Sequence, residues 1–130
     1  MFKFNLNLNQ KLLDKYKSIN LTLLFFPSNS YGQEYSDNDQ IREFIRGKLG
    51  DCADSQNYHI FELSNVYGSK KNPVFEYLTN ALKGTFFNAP KWNFTKFLID
   101  PQGTPIKRLA PNDLPSNFEK DLDKFLSEEN

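Results

Sequence analysis

Few side chains in these 130 residues could do chemistry, and they fall into two kinds. Cys52 is the one thiol and His59 the one imidazole. Gln33, in "FFPSNSYGQE" (residues 25–34), and Trp92 with Asn93, in "KWNFTKFLID" (residues 91–100), offer instead amide and indole N–H groups. Such groups donate hydrogen bonds without giving up a proton, and none competes as a nucleophile. A thiolate reacts and a thiol does not, and Cys52 is poorly equipped to form a thiolate. Its surroundings, "GDCADSQN", supply neither the positive charge nor the base that lowers a thiol pKa, and it reads as a loop cysteine rather than a substitute redox thiol. His59 stands alone, whereas a metal site would need companions that the sequence does not group around it. Taken singly, Trp92 could equally be a core anchor ahead of a strand.

Alternating elements must position these groups. Phe2, Phe4, Leu6 and Leu8 alternate with Lys3, Asn5, Asn7 and Asn9, the period of a short strand. Asn9 is then placed to cap a helix over about residues 10–18, with Leu12, Leu13 and Tyr16 on one face. "LTLLFFP" is apolar at nearly every position, as expected of a strand buried on both faces of a parallel sheet, and Pro27 ends it. Ile41, Phe44, Ile45 and Leu49 fall at helical spacing, with Asp37 or Asn38 as cap and Gly50 at the close. "YHIFELSNV" predicts a second core strand, and "NPVFEYLTNAL" a short helix with Pro73 in its first turn. "NFTKFLID" predicts a third, turned by "PQGTP" into "IKRLA" as a hairpin. Phe118, Leu122, Phe125 and Leu126 make the apolar stripe of a last helix.

Bulk properties bound the function. The length fits one domain, residues 1–130, with a single core, and 13 Phe and 6 Tyr make that core aromatic. Sixteen basic residues balance sixteen acidic ones without a Lys/Arg stripe, which sets aside nucleic acid and anionic membranes as partners. The longest fully apolar stretch, "LLFF", is far below the roughly 20 residues of a membrane span. One cysteine excludes an internal disulfide framework, and the N-terminus shows neither an apolar signal segment nor arginine before Arg42. Together these predict a cytoplasmic or mitochondrial protein.

The element order is that of a thioredoxin-like three-layer α/β fold, a small mixed sheet with helices on both faces. "LTLLFFPSNSYGQE", "YHIFELSNVYG", "NPVFEYL", "KWNFTKFLID" and "LAP", in that order and at near-family spacing, resemble the glutathione peroxidase family from about Asn9 to Leu126. Trp-Asn-Phe followed by this strand is the most specific of these stretches. The resemblance implies reduction of hydrogen peroxide and organic hydroperoxides with glutathione or thioredoxin, through a peroxidatic cysteine or selenocysteine surrounded by Gln33, Trp92 and Asn93. No cofactor or metal is implied.

The departures from the family pattern are equally specific. In this register the peroxidatic residue falls immediately upstream of Met1. The turn ahead of Gln33 reads with one residue fewer than the family's, Tyr35 replaces a usual proline, and Arg46 stands where thioredoxin-dependent members carry a resolving cysteine. "GDCAD" resembles an insertion of about five residues. Two readings of different class stay open. In one, the chain is a peroxidase whose sequence restarts at Met1 after a selenocysteine codon taken for a stop. In the other, a degenerate peroxidase fold persists as a non-catalytic structural or interaction subunit of a larger assembly. Either way the 130 residues alone lack the peroxidatic group.

Overall fold

A computed structural model describes residues 11–16, 19, 21–30, 32, 36–49, 57–83 and 95–128. Its first helix, α1 (residues 11–16), buries Leu12, Leu13 and Tyr16, the three positions that the spacing placed on one face. The Tyr16 hydroxyl donates to Asp123 Oδ1 at 2.7 Å, and Lys15 Nζ lies 2.6 Å from Glu119 Oε2. Burial, then the hydrogen bond to Asp123, holds the Tyr16 phenol above its usual pKa. The predicted strand over residues 2–8 lies outside the described residues.

Strand β1 (Leu23–Phe25) runs parallel to β2 (Tyr58–Ile60), with Leu23 opposite Tyr58 and Phe25 opposite Ile60. Between them α2 (Asn38–Leu49) buries Ile41, Ile45 and Leu49, the apolar stripe expected of an amphipathic helix. Asp37 caps it by accepting the Asp39 N–H at 2.8 Å, while Asn38 turns outward to accept the Leu63 N–H. Helix α3 (Pro73–Ala81) is capped by Asn72, whose Oδ1 accepts from Val74 N at 3.0 Å, and Pro73 fills the first turn, where its missing N–H has no helical partner to lose.

β3 (Lys96–Ile99) and β4 (Pro105–Leu109) form the expected antiparallel hairpin. Asp100 Oδ1 accepts from the N–H groups of Gln102 and Thr104, and Gly103 takes φ +87°, a conformation other residues rarely adopt. A 3₁₀ turn at Pro115–Phe118 leads into α4 (Glu119–Glu128), which buries Leu122 and packs Phe125 and Leu126 against the core.

Two apolar clusters hold these pieces. Leu13 joins Ile41, Ile45, Leu49 and Tyr58 around β1 and β2, and Leu12 and Tyr16 join Leu98, Leu109, Phe118 and Leu122 around β3 and β4. Neighbouring residues of α1 thus serve both. Helix α3 is the second link: Phe75 meets Phe26 edge-on at 5.4 Å, Tyr77 donates to Gly103 O, and Arg108 donates to the carbonyl of Leu82.

The core strands are shorter than their apolar runs, and one expectation fails outright. The "LTLLFFP" run was expected to be buried on both faces, yet Leu24 at the middle of β1 is 51 % exposed. Among the described residues each sheet has two strands, β1 with β2 and β3 with β4.

Candidate functional site

Gln33, Trp92 and Asn93 lie outside the described residues, as does Cys52, but the elements that lead to them are well defined. Gln33 follows the loop that leaves β1. There Pro27 O accepts the Ser64 N–H at 3.1 Å, continuing the parallel ladder past the strand end. Ser28 is buried and donates through Oγ to Ser30 Oγ at 2.9 Å. The Ser30 carbonyl accepts the Tyr67 hydroxyl at 2.7 Å. A tight turn closes from Gly32 N to Asn29 O at 3.0 Å with Gly32 at φ +65°, which a side chain would strain. Hydrogen bonds at Ser28, Ser30 and Gly32 thus hold this segment. "Asn-Ser-Tyr-Gly" is legible as a turn in sequence; its anchoring by Tyr67 is not, since the two are joined only through the fold.

Trp92 and Asn93 precede β3, whose first residue, Lys96, sequence reasoning passed over. Burial depresses the Lys96 ammonium to about 8, against an opposing pull from Asp113. Nζ donates to the carbonyl of Pro111 at 3.3 Å, and Asp113 Oδ2 accepts the Ala110 N–H at 2.9 Å. This pins the "LAP" segment after β4 beside the start of β3. The signal available in sequence was a lysine within an otherwise apolar strand.

His59 is exposed at the centre of β2, and Arg46 is exposed on α2. Among the described residues no three His, Cys, Asp or Glu side chains gather into a group able to hold a metal ion. A broad cleft between Asn29 and the start of α3 is bordered by Ser64, Asn65, Lys70 and Lys71, and among the described residues that line it there is no thiol, imidazole or carboxylate. The described frame thus offers fixed approaches to the two donor segments and, within itself, no nucleophile–base pair.

Comparison with known proteins gives these approaches a context. The family model described as glutathione peroxidase matches residues 4–79. A probable phospholipid hydroperoxide glutathione peroxidase of Mesembryanthemum crystallinum is 40 % identical over 117 residues, covering 89 % of this chain and 66 % of the relative. The glutathione peroxidase homolog BsaA of Halalkalibacterium halodurans is 39 % identical over 118 residues, covering 90 % of this chain and 72 % of the relative. Among solved structures, GPX1 of T. cruzi superposes with a TM-score of 0.66 at 28 % identity, over 92 % of this chain and 69 % of that one. The chain spans about two thirds of the length of the curated relatives it matches.

Proposed function

The chain belongs to the glutathione peroxidase family, and on that footing we propose that it supplies the donor side of a hydroperoxide-reducing site, Gln33, Trp92 and Asn93, while these 130 residues by themselves do not turn over peroxide. The observation that carries the second half is the position of the only thiol. Cys52 belongs to the connection between α2 and β2, whereas the donor segments follow β1 and precede β3. Uncharged donors can stabilise a thiolate or selenolate but cannot replace one. Arg46, at the position of the resolving cysteine, leaves no second thiol to form a disulfide with the first.

Where a peroxidatic residue is supplied, the reductant would be glutathione or thioredoxin, as the family resemblance implies, and the compartment cytoplasmic or mitochondrial. No helix among the described residues is long and apolar enough to cross a membrane. A second reading, a non-catalytic subunit of a larger assembly, is favoured by the sequence ahead of Gln33, which reads with one residue fewer than the family resemblance implies. The test common to both is the reactivity of Cys52. Exposed to excess hydrogen peroxide and followed by intact mass, Cys52 is expected to oxidise no faster than free cysteine. Oxidation faster by about a hundredfold or more would mark an activated thiolate and overturn the proposal.

A further inference from the structure

The segment between β2 and α3 folds back on itself beside the cleft. Asn65 bridges Lys71, the Asn72 N–H donates to the Asn65 carbonyl at 2.8 Å, and the Lys71 N–H donates to the Gly68 carbonyl at 3.3 Å. Gly68 makes the reversal at φ +83°. Asn29, in the turn after β1, borders the same cleft, and the two segments are tied together: the Ser64 N–H donates to the Pro27 carbonyl at 3.1 Å and the Tyr67 hydroxyl to the Ser30 carbonyl at 2.7 Å. The cleft is therefore built into the fold, and its volume of about 490 Å³ is that of a small-molecule site.

Lys70 and Lys71 bring two positive charges to the border of this cleft, and Asn29, Ser64 and Asn65 bring amide and hydroxyl groups. Charge of one sign along a cleft focuses the field and concentrates ligands of the other sign. The start of α3 is not what would hold such a ligand. Its Val74 N–H is taken by Asn72 Oδ1, its Phe75 N–H by the Asn72 carbonyl, and Pro73 has none to offer. Recognition falls to the two lysines, which are adjacent in sequence and so present their charges at one place. That suits a single dianionic group better than two carboxylates set apart on a longer molecule. A phosphate monoester is such a group, with a charge of about −1.5 to −2 near pH 7 and three acceptor oxygens, and lysine binds it as a point charge. We propose that the cleft between the turn after β1 and the start of α3 binds small phosphate monoesters through Lys70 and Lys71. The proposal goes beyond the hydroperoxide reading and does not depend on it, because it uses only the two lysines and the polar groups beside them.

Methyl phosphate, titrated into the isotope-labelled full chain in phosphate-free buffer at about 0.15 M ionic strength, tests this, with succinate as a dianion whose charges are set apart. Methyl phosphate is expected to shift the amide resonances of Asn29 and of residues 64–72 saturably, with a Kd of about 1 mM or lower. Succinate is expected to bind about tenfold more weakly or worse. Replacing both lysines, Lys70→Gln with Lys71→Gln, should weaken methyl phosphate binding about tenfold or more, whereas Lys70→Arg with Lys71→Arg, which keeps both charges, should retain it. Shifts that do not saturate, or that centre on other lysines such as Lys107 and Lys124, overturn the proposal. An affinity unchanged in the glutamine variant overturns it as well, as does succinate binding equal to that of methyl phosphate, which would show that the cleft reads charge and not phosphate.

Discussion

Lys96 and Tyr16 carry the shifts of side-chain acidity that make stability depend on alkaline pH, and they act in opposite directions. Lys96 has its folded pKa depressed by burial to about 8, so between there and 10.5 the unfolded chain binds more protons. Its contribution to stability is present above the upper value and is lost as pH falls through the lower one. Partial solvation keeps the gain to about 1–2 kcal/mol, well below what a fully buried group would give. Tyr16, with a raised folded pKa, contributes stability that is complete below 10.0 and lost as pH rises through the folded value. Urea unfolding midpoints should therefore climb from pH 8 toward 10 and turn over beyond it. Lys96→Met is expected to flatten the climb while leaving the turnover, and Tyr16→Phe to weaken the turnover, to which Lys15, raised by its hydrogen bond to Glu119, also contributes. A climb unchanged in Lys96→Met would mean that another group is responsible. The buried stripes Leu12–Leu13–Tyr16 and Ile41–Ile45–Leu49 were legible because helical spacing alone selects one face. The Lys96 environment was not, because it depends on Pro111 and Asp113 arriving from the far side of the hairpin.

At the scale of the element, caps and turns were read from single residues and the strands were read too long. Asp37, one of the two caps offered, and Pro73 each perform the task their chemistry suggested, a carboxylate accepting a helix N–H and a ring at a first helical turn, and the expected "PQGTP" turn places Gly103 at positive φ. "LTLLFFP" supplied seven apolar-rich positions for a strand of three, because propensity sets what can pair and neighbours set what does. The exposure of Leu24 could not be read from β1's own sequence. Asn72 offers the cleanest test of an element. It caps α3 through Val74 N and donates from Nδ2 to Ser64 Oγ at 3.3 Å, tying the helix start to the segment after β2. Asn72→Ala should destabilise the protein by about 1–2 kcal/mol in denaturant unfolding, and Asn72→Asp, which keeps the capping oxygen, by less. Equal losses in the two variants would shift the weight from the cap to the Ser64 bond.

Across the whole molecule, α1 decides whether the two clusters behave as one. Leu12 and Leu13 are adjacent in sequence, and Tyr16 ties the same helix to α4. Unfolding should be a single cooperative transition, with far-ultraviolet and near-ultraviolet dichroism losing signal at the same denaturant concentration. Leu13→Ala, expected to cost about 2–5 kcal/mol, should shift both probes together. Separate midpoints would show that the clusters are independent and that α1 does not couple them. The family was legible because its segments survive in order along most of the chain. Gln33, Trp92 and Asn93 belong to recognisable stretches of the sequence but lie outside the described residues, and their part in a site stays a proposal. The central claim, that a glutathione peroxidase domain of this sequence retains donors without a nucleophile, meets its most direct test in steady-state turnover. In an NADPH-coupled assay with hydrogen peroxide, and either glutathione with its reductase or thioredoxin with its reductase, the 130-residue chain is predicted to consume no NADPH above the protein-free rate. Turnover that disappears in Cys52→Ser would contradict the claim and make Cys52 the nucleophile.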